Sequence, residues 1–163
     1  MKKIYLLSIA LISAFMFVAC ANTHEQNDHA VGEIKQEQLL AKYSAFLESY
    51  QSFEIDPLQK SQIQNWPADL KVEVYFGTWC HDSEREVPHL LKALQSYHQE
   101  SITLFALDTN KNDPQGRAQK MKVKYTPTFV VYLAGKEIGR IVERPDQSLV
   151  DDISLMIAKE NLS

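Results

Sequence analysis

The sequence predicts an α/β fold in which a central mixed sheet is flanked by helices. Residues 70–76 alternate in polarity as a strand does, and the apolar residues that follow, from Val87 onward, recur with a helical period. A second strand and helix follow over residues 102–122, so the first two strands are predicted to be parallel with a helical crossover between them. The chain then gives a hairpin and a last helix, which adds an antiparallel pair to the sheet.

The first half of the domain is predicted to contain two helices, a strand and a third helix. The first helix carries an apolar period formed by Leu39, Leu40, Tyr43, Phe46, Leu47 and Tyr50. A shorter helix begins at Asp56-Pro57, since Asp is a common N-cap and Pro suits the first helical position. In the strand, one face carries Leu70, Val72, Val74 and Phe76, and the other carries Lys71, Glu73 and Tyr75. The next helix has a stripe of Val87, Leu90, Leu91, Leu94 and Tyr97.

The second half is predicted as strand, helix, strand, strand and helix. A strand over residues 102–107 ends at Asp108, and Asn112-Asp113-Pro114 caps a helix that runs to about Lys122. The hairpin consists of residues 128–133, a tight turn at 134–136 and a partner strand at 137–142. The last helix opens at Pro145-Asp146, and its apolar stripe is Leu149, Val150, Ile153, Met156 and Ile157.

Composition indicates one globular domain and excludes some classes of partner. The chain has 163 residues, of which 45% are hydrophobic, and its net charge is −4. No basic patch stands out, so we do not expect a nucleic-acid partner. The five histidines are scattered and the chain has only two cysteines, Cys20 and Cys80. We therefore expect neither a metal site nor another cofactor.

The N-terminus has the anatomy of a secretory signal peptide. Lys2 and Lys3 precede an apolar run, and small residues come just before Cys20. The segment Phe17-Val18-Ala19-Cys20 resembles a bacterial lipobox, although leucine is usual at position 17. The resemblance implies a lipoprotein-type signal over residues 1–19, a lipid on Cys20, a polar tether over 20–33 and a domain over 34–163. The alternatives are an uncleaved membrane anchor, for which the run is short, and plain secretion with Cys20 incidental.

Cys80 lies where the strand over 70–76 gives way to the next helix. Free N–H groups and the helix dipole at such a position favour an anion, so a thiolate should form there more readily than in water. The alternative is a small buried core cysteine. The polar residues His81, Asp82 and Ser83 follow at once, which favours a reactive thiol.

Two motifs resemble those of the thioredoxin superfamily. Trp79-Cys80-His81-Asp82-Ser83 is similar to its W-C-x-x-C active site, with serine in place of the second cysteine. The continuation Glu84-Arg85-Glu86-Val87-Pro88 resembles the helix that follows this site in membrane-anchored, thioredoxin-like thiol oxidoreductases of bacterial envelopes. Tyr125-Thr126-Pro127-Thr128-Phe129 resembles the Thr-Pro element whose cis proline faces the cysteine. The resemblance implies a thioredoxin fold with Cys80 as nucleophile and a substrate site formed by Trp79, His81, Asp82, Ser83, Thr126 and Pro127.

Two departures from this family pattern concern how a mixed disulfide is released. Ser83 stands where dithiol relatives carry the resolving cysteine, and Val74 stands where they carry a buried acid. The chain is therefore expected to form mixed disulfides with client proteins and to need an external thiol or reductase to resolve them.

The sequence is compatible with three functions. The first is a monothiol oxidoreductase on the periplasmic side of the bacterial envelope, held by a lipid, with a weak preference for the outer membrane. The second is a client-binding module without catalysis. The third is a redox sensor in which Cys80 is reversibly oxidised or capped.

Overall fold

The computed structural model describes residues 29–95 and 101–162. These form six helices and five strands. In chain order they are β1 (Gly32–Ile34), α1 (Gln36–Lys42), α2 (Ser44–Ser52), α3 (Pro57–Gln64), β2 (Lys71–Phe76), α4 (His81–Ala93), β3 (Ile102–Ala106), α5 (Arg117–Lys120), β4 (Thr128–Leu133), β5 (Lys136–Val142) and α6 (Leu149–Glu160).

The strands form one mixed sheet in the order β1–β3–β2–β4–β5. The central pair, β2 and β3, is parallel, with Val72 opposite Ile102. The three other pairings are antiparallel, and β4 and β5 are joined by a tight hairpin. The predicted fold class, a mixed sheet flanked by helices, is confirmed.

Two clusters of buried residues pack on the two faces of the sheet, a larger one under the long helices and a smaller one on the opposite face. The alternation of β2 places Val72, Val74 and Phe76 in the larger core, together with residues of all the long helices. Tyr75, on the opposite face, packs with Phe105, Leu107, Ala118 and Val130. The predicted stripe of α4 is also correct, since Val87, Leu90, Leu91 and Leu94 are buried; Tyr97 lies outside the described residues.

The N-terminal part of the domain differs from the prediction in two ways. The first predicted helix is divided into α1 and α2, because Tyr43 adopts an extended conformation with φ −116° and ψ 100°. A short strand, β1, was missed, and it pairs with β3 so that Gly32 lies opposite Ala106. Residues 32 and 33, which were predicted to belong to the tether, are therefore part of the sheet.

Two helices of the second half begin later than predicted. The carboxylate of Asp113 accepts hydrogen bonds from the N–H groups of Gln115 and Ala118, and Gly116, with φ 65°, comes directly before α5. These turns occupy the positions at which the helix was predicted to begin, so α5 is only one turn long. The last helix begins at Leu149, where the hydroxyl of Ser148 accepts the N–H of Asp151, and not at Pro145-Asp146.

The predictions for the signal peptide, for Cys20 and for most of the tether fall outside the described residues. Among the residues that are described, no helix is both long enough and apolar enough to span a bilayer.

Candidate functional site

Cys80 caps the N-terminus of α4, directly after the loop that ends β2. Its backbone N–H donates to the carbonyl of Gly77 at 3.1 Å, and its own carbonyl accepts the N–H of Glu84 at 3.0 Å. These bonds fix the residue between the loop and the first turn of the helix. The thiol is partly exposed and forms no disulfide with a described residue. Sγ donates to the carbonyl oxygen of Thr126 at 3.1 Å.

The segment that faces the thiol is held on both sides. The Thr126–Pro127 peptide bond is cis, and both residues are buried. The carbonyl of Pro127 accepts the N–H of Glu143 at 2.7 Å, and the hydroxyl of Thr128 donates to the carbonyl of Tyr125 at 2.7 Å. Tyr125 itself is 54% exposed. The loop therefore presents a fixed carbonyl to Cys80 and an aromatic side chain to solvent.

Trp79 is half-buried and has a fixed orientation. Its indole Nε1–H donates to the carbonyl of Leu107 at 2.9 Å, and Nζ of Lys111 lies 5.6 Å from its ring centre. The ring lies so close to Gly77 that a Cβ on that glycine would be 2.5 Å from ring atom Cε2. The indole of the residue before Cys80 is thus held in place, and this packing needs a glycine at position 77.

Ser83 and Val74, the two departures from the dithiol pattern, are both fully buried. The hydroxyl of Ser83 accepts the N–H of Gly77 at 3.3 Å. Ser83 was predicted to contact substrate, but its 0% exposure places it behind the site, where it supports the loop before Cys80. Val74 belongs to the larger core, whereas the neighbouring Glu73 accepts hydrogen bonds from Tyr75 and Tyr132.

The charged residues at the start of α4 are paired with one another. Nδ1 of the exposed His81 lies 2.8 Å from Oε2 of Glu84. One oxygen of Asp82 accepts from Arg85 at 3.0 Å and from Arg144, which follows β5, at 3.0 Å. Although burial acts in the opposite direction, the hydrogen bonds from Arg144 and Arg85 hold the pKa of Asp82 below its usual range. Asp82 therefore stays ionised, and its negative charge next to Cys80 is largely compensated.

The N-terminal segment also reaches this site. The N–H of Ala30 donates to the hydroxyl oxygen of Thr78 at 3.1 Å. Ala30 comes just before β1, and Thr78 comes two positions before Cys80 in the sequence. The chain therefore enters the folded domain in contact with the loop that leads to Cys80. Thr78 is buried at 7% exposure, so this bond is partly shielded from water.

The fold brings Thr126 and Pro127 against Cys80, whereas Trp79, His81 and Asp82 adjoin it in the sequence. Three residues of this region were not predicted from the sequence, namely Arg144, Lys111 and Thr78. Arg144 lies 62 positions from Asp82, and no local pattern connects two residues at that separation. The described parts of the chain contain no cluster of three or more His, Cys, Asp or Glu side chains suited to a metal ion.

Comparison with known proteins relates the chain to thioredoxins. A family model described as thioredoxin matches residues 32–153. Thioredoxin AMT13 of Alternaria alternata is 31% identical over 78 residues, which cover 48% of this chain and 63% of the relative. Thioredoxin-2 of Saccharomyces cerevisiae is 32% identical over 73 residues, which cover 45% of this chain and 66% of the relative. The chain therefore spans slightly less than two thirds of the length of either protein.

A solved structure extends the likeness over more of the chain. A protein of unknown function from Pseudomonas aeruginosa superposes with a TM-score of 0.60 at 18% identity, covering 80% of this chain and 94% of the other. At that identity the likeness concerns the fold alone.

Proposed function

The chain belongs to the thioredoxin family, and from that premise we propose that it is a thiol–disulfide oxidoreductase of the bacterial cell envelope with Cys80 as its nucleophile. The observation that carries the proposal is the position of this thiol. It caps α4 and lies 3.1 Å from the Thr126 carbonyl, beside a cis proline. The sulfur is partly exposed, so a client disulfide can reach it.

The first step is the attack of the Cys80 thiolate on one sulfur of a client disulfide. A new S–S bond forms between Cys80 and the client, and the second client sulfur leaves as a thiolate. Before attack, the thiol proton that is held by the Thr126 carbonyl goes to water. The client segment lies between the indole of Trp79 and the Thr126–Pro127 loop, with His81 and Asp82 at the edge of the binding site.

The second step, release of the client, requires a thiol from outside. Ser83 has no sulfur, and its hydroxyl is engaged with the N–H of Gly77. A small thiol attacks the Cys80 sulfur and frees the client, and a second equivalent regenerates Cys80. The balance is one client disulfide and two thiols giving one client dithiol and one small-molecule disulfide. A protein reductase serves the same purpose with its own pair of thiols.

The site lies close to a membrane in this proposal. The leader over residues 1–19 is removed, Cys20 carries the lipid, and a tether leads to the described domain. The tether ends near Ala30, whose N–H is bonded to the active-site loop at Thr78. The lipid holds the domain at the periplasmic side of the envelope, where clients with cysteines or disulfides are its partners, and the residues after Cys20 weakly favour the outer membrane as the site of the anchor.

Turnover of a peptide disulfide with reduced glutathione as the only reductant tests the proposal. The native protein should release the reduced peptide catalytically, and Cys80→Ala should abolish both the mixed disulfide and the turnover. Ser83→Ala is the matched control, because it removes the neighbouring hydroxyl but leaves the thiol. If Cys80 forms the mixed disulfide but no added thiol supports turnover, the enzymatic role is overturned in favour of a redox sensor. Absence of attack with a folded site would instead support a client-binding module.

A further inference from the structure

Basic residues are concentrated in the segment that leads to the cis proline. Positions 111–124 contain five Lys and Arg residues in an otherwise acidic chain, namely Lys111, Arg117, Lys120, Lys122 and Lys124. The one acidic residue in this segment, Asp113, is buried, and its carboxylate accepts backbone N–H groups. This local excess of positive charge does not stand out in the sequence, because the net charge of the whole chain is negative.

The end of this segment is adjacent to the thiol. Lys124 comes two residues before Thr126, so their Cα atoms are at most about 7 Å apart. Lys122 and Lys124 are exposed, and together with the exposed Tyr125 they line a cavity of about 230 Å³ that extends to β5. A third lysine, Lys111, lies over the ring of Trp79, the residue before Cys80.

The positive charges around the site are less compensated than the negative ones. Lys122 and Lys124 form no ion pair within residues 29–95 and 101–162. Asp82, in contrast, is paired with two arginines. Two nearby acids oppose this excess. The backbone carbonyl of Asp108 accepts the N–H of Lys111, and the exposed Glu143 donates its backbone N–H to the carbonyl of Pro127. The surface next to the Thr126–Pro127 segment therefore carries two exposed lysines, Lys122 and Lys124, without an ion-pair partner among the described residues.

We propose that Lys111, Lys122 and Lys124, here called the basic rim, select clients whose reactive cysteine is flanked by acidic residues. The inference rests on the proposed function and specifies its substrate class. A client strand advances about 3.3 Å per residue, so Asp or Glu two or three positions from its cysteine reaches Lys124 while the sulfur is at Cys80. Tyr125 offers an aromatic surface to the side chain between them.

Charge of this kind acts mainly on the rate of association. Complementary charges on the protein and the client increase the rate at which the two meet, and salt screens this attraction. Each exposed ion pair, in contrast, adds little to the affinity of the complex. Reversal of one lysine should therefore slow attack on an acidic client by about three- to fivefold at low salt. The effect should fade at high ionic strength.

The test uses three peptides of the same length, each with one mixed disulfide to a chromogenic thiol and with acidic, neutral or basic flanks. The native protein should react fastest with the acidic peptide, and the preference should shrink in high salt. The double variant Lys122→Glu/Lys124→Glu should lose or invert the preference. The matched control Lys60→Glu/Lys71→Glu has the same net charge on exposed residues of α3 and the far end of β2. It should keep the native preference.

A neutral small disulfide, 4,4′-dithiodipyridine, separates this inference from the proposed function. It should react equally with the native protein and both double variants. If it does not react even with the native protein, the proposed function fails, and the inference fails with it. If it reacts but the acidic preference is absent, or is lost equally in both variants, the basic rim is refuted while the proposed function stands. Glu143→Gln provides a second check, because removal of this acid should strengthen the preference.

Discussion

Replacing Ser83 by cysteine should restore an internal disulfide and change both stability and turnover. Ser83 lies three residues after Cys80 on α4, and side chains at this spacing share one face of a helix. The substitution removes the hydroxyl that accepts the N–H of Gly77, at a cost of about 1 kcal/mol. In the chain-entropy treatment, closing a four-residue loop contributes about 1.9 kcal/mol. The reduced variant should therefore be about 1 kcal/mol less stable than the native protein, and the oxidised variant about 1 kcal/mol more stable.

These free energies correspond to a measurable gap in melting temperature. At about 2–4 °C per kcal/mol, the oxidised and reduced forms of Ser83→Cys should melt about 4–8 °C apart. Ser83→Ala is the control, since it should match the reduced form and be insensitive to redox state. Release of a bound client should become at least about tenfold faster, because the resolving thiol is now intramolecular. If the disulfide forms but release does not accelerate, resolution is not what limits this protein, and the reasoning is refuted.

Three further predictions concern other parts of the chain. Gly77→Ala should displace the ring of Trp79 from its bond with Leu107 and cost about 1–3 kcal/mol, visible in tryptophan fluorescence and in denaturant unfolding; an unchanged midpoint would contradict the packing. The hydrogen bond from Ser148 is the main cause that lowers the pKa of Asp151 in the folded protein. The ionised Asp151 therefore stabilises the fold fully above about pH 4, and this contribution is lost as pH falls through the pKa of the folded state. Asp151→Asn should therefore unfold more easily at pH 7 and differ less from the native protein near pH 2; a constant difference would contradict this. Cys20→Ala should release the protein from membranes, and an unaltered membrane fraction would exclude the lipid anchor.

The strands and the long helices were predictable because their signals are local and strong. The two faces of β2 and the stripe of α4 follow from hydrophobic periodicity, and tertiary burial agrees with both. The break at Tyr43 was not predictable, since the apolar period continues across it and only the backbone conformation divides α1 from α2. Likewise, β1 has three residues and takes its identity from pairing with β3, which no local pattern of that length can indicate.

The candidate site was predictable in part for the same reason. The segments 79–83 and 125–129 are contiguous motifs, so their residues were recognised before their contact was known. Arg144 was not, because its role depends on a contact with Asp82 across 62 positions. The basic rim was visible in the sequence as a run of lysines, but its relevance depends on the fold that places Lys124 beside the thiol.

The two departures from the dithiol pattern belong to one structural arrangement. Val74 is fully buried between Leu104 and Phe129 of the neighbouring strands, and a carboxyl there would lie in an apolar core without a partner. Such an acid is useful in dithiol proteins as a proton acceptor for the second cysteine, so it has no task where that cysteine is absent. Ser83, for its part, holds Gly77 and through it the place of Trp79. Both positions therefore stabilise the strand and the loop that hold Cys80 in place, which agrees with the proposal that an external thiol releases the client.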